Sequence, residues 1–179
     1  MDTLIIEFYC LPYRDLLVLF AVLTYGFLVM DWRFRERRLW KGLLVPANIL
    51  WICVILLFTV STRESGSTDS LFLVPFHSYR EMEATGNIEI LRSNFMNVIL
   101  FYPGGMLAAA LLPRKWPGWL RVGLVFLVFT GFSVGIEYFQ YAAAAGRAEI
   151  DDVIHNAAGA LAGGIVTVIP FFRTQEERG

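Results

Sequence analysis

The chain has 179 residues, 56% of them hydrophobic and 17% charged, with a formal net charge of −1. Soluble domains run at about 25% charged residues, so this composition excludes an ordinary soluble domain and points to a membrane protein.

Five apolar runs follow in chain order: Leu16 to Met30, Leu43 to Val60, Phe95 to Leu112, Trp119 to Tyr138 and Ala157 to Phe172. Each is close to the ~20 residues that cross a bilayer as a helix. The expected fold is an all-α, polytopic integral membrane helix bundle with about five transmembrane helices. It forms a single domain over residues 1–179, with 173–179 as a flexible cytoplasmic tail. The first run is the shortest, and it reaches a full span when Phe8 to Tyr13 joins it and Arg14 and Asp15 snorkel or pair. The opening Met1-Asp2-Thr3 carries no early basic residue, unlike a cleaved signal, so the first segment is expected to remain in the mature protein. Cys10 and Cys53 lie in or beside different runs without metal-type spacing partners, which suits small buried hydrophobes.

Alternate loops of a five-span chain face opposite sides, so cations can be assigned to a side. Arg33, Arg35, Arg37, Arg38, Lys41, Arg114, Lys115, Arg121, Arg173 and Arg178 fall on one side. Arg14, Arg63, Arg80, Arg92 and Arg147 fall on the other, together with most of the acids. The positive-inside rule then places the amino terminus outside and the carboxyl terminus in the cytoplasm of the bacterial cell membrane. The basic loop Arg33 to Lys41 flanks two spans and reads as a topology anchor that meets anionic lipid, so nucleic acid is not expected as a partner. Trp32, Trp40, Trp116 and Trp119 fit an interfacial belt. The longest outer loop, Ser61 to Ser93, carries the apolar patch Leu71 to Phe76, too short to span, and a turn at Gly86-Asn87.

Polar residues within the last three runs follow helical geometry. At about 100° per residue, Thr130, Ser133, Glu137 and Gln140 share one stripe, with Gly131 and Gly135 roughly opposite. Asp152, Asn156, Gly159 and Gly163 share a face of the fifth run, with Asp151 and His155 at its edge, and Asn94, Asn97, Phe101, Gly105 and Ala108 share a face of the third. Gly131/Gly135 and Gly159/Gly163 are small-xxx-small patterns expected to bring neighbouring helices close, and Pro103-Gly104-Gly105 is expected to interrupt its helix. A polar pocket opening outward between the last three helices is the expected result. A carboxylate such as Glu137 in a membrane helix costs up to about 2.5–3.5 kcal/mol toward the bilayer centre, and so is usually retained for a reason.

These residues form a recognisable series: Asn97-x-x-x-Phe101-x-Pro103-x-Gly105, Glu137-x-x-Gln140, Gly146-Arg147 and Asp151-Asp152-Val153-x-x-Asn156-x-x-Gly159-Ala160. Their order and spacing resemble the VanZ-like family of small bacterial membrane proteins, whose namesake is associated with resistance to the glycopeptide teicoplanin. The resemblance runs from Asn94 to Gly164, with a weaker echo at Arg63 and Val74-Pro75-Phe76, and implies a VanZ-like core over about 43–172. Ala157 stands where a hydroxyl residue is expected, and His155 where an apolar one is expected.

Glu137 and Asp152 are the candidate acid and base, since neighbouring buried carboxylates differ in proton affinity. Arg147 offers a bidentate fork for phosphate or carboxylate. Gln140, Asn94, Asn97, Asn156, Asp151, His155 and Arg63 complete the candidate ligand-binding set. A purely structural alternative pairs Arg147 with Glu137 or Asp152 and uses Asp151 or Asp152 to cap the fifth helix. His77 and His155 with the carboxylates match no metal motif, so neither metal nor cofactor is expected. Gly131-x-Ser133-x-Gly135 spells a hydrolase string, but it lies within a helix, whereas a nucleophile elbow needs a strand-to-helix turn. The expected function is binding of an envelope lipid or lipid-linked precursor headgroup, with acid–base chemistry at Glu137 and Asp152. The family resemblance implies glycopeptide tolerance and makes the antibiotic itself a candidate partner. The alternatives are a non-catalytic sensor or structural subunit, and a small transporter or flippase, which the apolar inner halves of the helices disfavour.

Overall fold

The computed structural model describes residues 13–34, 36–60, 70–143 and 147–169. Expectations for Cys10, Arg63, Gly146 and the 173–179 tail fall outside the described residues. The elements in order are α1 (Tyr13–Phe34), α2 (Arg38–Val60), β1 (Ser70–Phe72), α3 (His77–Thr85), α4 (Glu89–Leu111), α5 (Gly118–Ala142), β2 (Arg147–Glu149) and α6 (Ile150–Val168).

Among the described residues, four helices are long and apolar enough to cross a membrane: α1 over Leu17–Phe34, α2, α4 and α5. The 19-residue α6 has comparable length, but its first two turns hold Asp151, Asp152, His155 and Asn156. The protein is therefore an all-α membrane helix bundle, with α6 as a fifth long helix whose apolar part begins at Ala157. Ile169, just before Pro170, has the extended backbone that a following proline favours, and α6 stops there.

The chain divides into two compact units, one containing α1 and the start of α2 up to Pro46, the other running from Ala47 to Ile169. In the first, Trp40 Nε1 donates to Asp31 Oδ1 at 2.9 Å, and the guanidinium groups of Arg33 and Arg37 lie 5.7 and 5.3 Å from the Phe34 ring centre. These contacts fold the basic loop onto its own aromatics.

In the second unit, α4 and α6 touch backbone to backbone. A Cβ placed on Gly159 or Gly163 would overlap the carbonyl oxygens of Val98 and Tyr102, and one on Gly105 would overlap that of Ala160. Gly131 and Gly135 have no such role: an added Cβ there meets nothing within 4 Å. The expectation that both glycine pairs bring α5 and α6 together is corrected. The same four-residue spacing serves a helix contact in α6 and an open face in α5. Phe101, Phe129 and Phe132 form an aromatic cluster with centroids 6.1–6.4 Å apart, packed with Ile55, Val125, Ile136 and Ala160. Cys53, expected to be buried, is exposed on α2.

The α4 helix also runs unbroken through Pro103, contrary to the expected interruption. Proline removes the donor to the Ile99 carbonyl, and in the same turn Trp51 Nε1 on α2 donates to the Leu100 carbonyl at 2.9 Å, tying α2 to α4 beside the proline. Replacing Trp51 with Phe should cost about 1 kcal/mol, typical of an interhelical bond in a membrane. Detergent-titrated unfolding measures it, and an unchanged midpoint would show that the Trp51 bond does not help hold α2 to α4.

A small cap covers the end of the unit where α6 begins. There β1 pairs parallel to β2 in the register Ser70↔Arg147, Leu71↔Ala148 and Phe72↔Glu149. The α3 helix ends at Gly86, whose φ of 69° allows its N–H to reach Met82 O at 2.8 Å. Asn87 Oδ1 then accepts from Glu89 N at 3.1 Å as α4 starts.

Candidate functional site

The polar side chains meet at the end of the second unit where α6 starts, α5 finishes and α3 lies. Asp151 is the most heavily bonded. Its carboxylate accepts from Phe76 N (2.5 Å), Ser78 N (2.8 Å) and Ser78 Oγ (2.6 Å), and Asn94 Nδ2 donates to Ser78 Oγ at 3.0 Å. The expectation that this aspartate caps its own helix, α6, is corrected: the start of α6 has no side-chain cap, and the helix Asp151 caps is α3. Phe76 at the N-cap of α3 has no side-chain cap of its own, and Asp151 serves the exposed amides instead. Phe76 is the one described non-glycine residue in the left-handed region, with φ 61°. The carboxylate holds a conformation that a bulky residue otherwise avoids. Asp151 precedes the apolar part of α6. Burial would raise its pKa, but the bonds from Ser78 and Phe76, and nearby His155, outweigh burial and hold it below the usual carboxylate value.

His155 follows one turn later. Its Nδ1 lies 2.6 Å from the Asp151 carbonyl oxygen, which can only accept, so Nδ1 carries the proton. In the neutral ring Nε2 is then the acceptor, and the Tyr79 hydroxyl donates to it at 2.8 Å. Asp151 and His155 together fasten α3 onto α6.

Behind this layer, α4, α5 and α6 share a second set of bonds. Asn97 Nδ2 donates to Asp152 Oδ1 at 2.7 Å, and Asn156 Nδ2 to Ser133 Oγ at 2.9 Å. Glu137, one turn from Ser133, accepts from the Glu149 backbone N–H at 3.0 Å, at the junction of β2 and α6. Gln140 Nε2 donates to Thr59 O on α2 at 2.7 Å. Ser133, Glu137, Gln140, Asp152 and Asn156 are all buried, and the side-chain amide oxygens of Gln140 and Asn156 have no hydrogen-bond partner among the described residues. Ser133 sits within α5, fully enclosed, as a structural acceptor.

Arg147 links the elements of the cap. The two-residue period of β2 puts Arg147 and Glu149 on one face, with Nε 3.4 Å from Glu149 Oε1. Its terminal nitrogens reach Glu81 of α3 at 3.4 and 3.2 Å, and its guanidinium lies 4.3 Å over the Phe72 ring. His77 stacks on the same ring, centroids 4.7 Å apart, with Nδ1 3.7 Å from Glu81. The fork expected to grip a ligand anion thus lies against two of the protein's own carboxylates. Among the described residues, no three His, Cys, Asp or Glu side chains are grouped to hold a metal ion.

A profile of the VanZ/LLP1 family matches residues 44–172, most of the chain and all of this cluster. The chain belongs to the VanZ/LLP1 family. No curated protein and no solved structure matches it. It is therefore a VanZ-like, multi-pass membrane protein from a family linked to glycopeptide resistance.

Within this VanZ-like chain, the structure gathers Asn94, Asp151 and His155 in the α3 layer, and Asn97, Glu137, Gln140, Asp152 and Asn156 in the layer behind. Sequence reasoning missed Ser78, Tyr79, Glu81 and Glu149. The polar run His77-Ser78-Tyr79-Arg80 was the available signal, but nothing local reveals that it folds onto residues some seventy positions later.

Proposed function

We propose that the cluster at the start of α6 binds the polar headgroup of an envelope lipid or lipid-linked precursor, with Glu137 and Asp152 as an acid–base pair. In this reading the cluster faces outward from the bacterial cell membrane. The amino terminus is outside and the carboxyl terminus cytoplasmic, as the distribution of basic residues favours. Arg147, Gln140, Asn94, Asn97, Asn156, Asp151, His155 and Arg63 are the proposed headgroup contacts. The observation that carries the reading is the burial of two carboxylates, Glu137 and Asp152, among amides on adjoining helices of a membrane protein. Glycopeptide tolerance enters through family membership.

A second reading, a non-catalytic sensor or structural subunit, is favoured by the bonds themselves. Asn97–Asp152, Asn156–Ser133 and Gln140–Thr59 each tie two helices together. Glu137→Gln separates the two. On the functional reading this isosteric change shifts stability by under about 1 kcal/mol and abolishes teicoplanin tolerance in cells expressing the protein. Loss of folded protein in the same variant would favour the structural reading.

A further inference from the structure

We propose that the turn Leu73-Val74-Pro75-Phe76 is a lipid anchor that inserts at the boundary between headgroups and acyl chains, beside the polar cluster. Its side chains point away from the protein: Leu73 is 63% exposed, Val74 50% and Phe76 55%, and no charged residue interrupts the stretch from Leu71 to Phe76. Its backbone is turned inward. The Phe76 N–H donates to Asp151, and the His77 N–H donates to Val74 O at 3.3 Å. A turn with its Phe76 N–H and Val74 carbonyl met by the protein and its side chains bare and apolar suits the bilayer boundary, where headgroups and water can meet the remaining main chain.

The depth also fits. Asp151 fixes the turn at the end of the unit where α5 finishes, and that end carries exposed Tyr138 (72%) and Tyr141, a residue type that settles at the interface. Ile88, exposed at the start of α4, continues the apolar rim. Arg80 follows on the exposed surface of α3, where a guanidinium suits the phosphate level. The left-handed backbone at Phe76, held by the Asp151 carboxylate, keeps the turn in one shape, so it meets the bilayer already ordered.

The test is a nitroxide attached at Val74→Cys in full-length protein carrying Cys10→Ser and Cys53→Ser. The protein is reconstituted in vesicles of phosphatidylethanolamine and phosphatidylglycerol, with Glu83→Cys on the exposed side of α3 as the reference. The label at position 74 should collide severalfold more often with dissolved oxygen than with a water-soluble nickel chelate, with the order reversed at position 83. Leu73→Cys repeats the measurement should the Val74 variant express poorly. Nickel collisions at 73 or 74 equal to those at 83 would place the turn in water. Suppression of both reagents would place it against protein, a second copy included. Either result overturns the proposal.

Discussion

Gly163→Ala is expected to leave little folded protein. The methyl group would enter the space of the Tyr102 carbonyl oxygen and press on the Met106 backbone of α4. Overpacking a core usually costs about 1–3 kcal/mol, and here the obstruction is main chain that no rotamer change can clear, so the cost should reach about 3 kcal/mol or more. Gly159→Ala meets the Val98 carbonyl in the same way. Gly131→Ala is the matched control: nothing lies within 4 Å, and replacing a helical glycine with alanine should add up to about 1 kcal/mol. The two substitutions carry the same chemistry in the same glycine pattern, and they should move stability in opposite directions. Monodisperse yield and the detergent-unfolding midpoint measure both. Equal midpoints for the two variants would mean that α4 and α6 do not approach as described.

Asp151→Ala should open the cap. It removes the acceptor for two backbone amides and one hydroxyl, each costing about 1–3 kcal/mol if left buried without a partner. The chain can avoid that cost by letting α3 swing into water and letting Phe76 leave its positive φ. The expected result is therefore local release with the helices retained. Hydrogen exchange across residues 70–85 should rise by at least about tenfold, equivalent to roughly 1.4 kcal/mol of lost protection, while α4 and α6 stay protected. Asp151→Asn keeps one acceptor oxygen and should fall between. The carboxyl is held below its ordinary value, so its contribution is complete above about pH 4 and is lost as the pH falls through the lowered value. Unchanged exchange in Asp151→Ala would show that α3 is held by something else.

The sequence revealed the parts of this arrangement that depend on helical period and lost those that depend on distant pairing. Length and composition suffice for the long helices, because about 20 apolar residues have few alternatives in a bilayer. The 100° rotation per residue groups Ser133 with Glu137 and Gln140, and Asp152 with Asn156, Gly159 and Gly163, and the structure buries each of these. The same logic could not tell Gly131 and Gly135 from Gly159 and Gly163, since four-residue spacing records a face without naming its neighbour. The capping aspartate was legible as a helix-start residue, but its true client, α3, lies more than seventy positions earlier. The pairing of β1 with β2 left no trace, because three-residue strands carry too short a pattern to stand out from a loop.

The parallel pairing of β1 with β2 constrains biosynthesis. Ser70 meets Arg147, so the first strand leaves the ribosome long before its partner exists, and α4 and α5 must be made in between. Until Asp151 is translated, the Phe76 and Ser78 amides lack their acceptor, and Leu73, Val74 and Phe76 lie on a segment with nothing to fix its shape. The cap is thus a late, long-range closure, the kind of contact that chain entropy delays. A nascent chain halted before β2 should carry its helices in the translocon with this segment still open to proteases, and release past α6 should seal it.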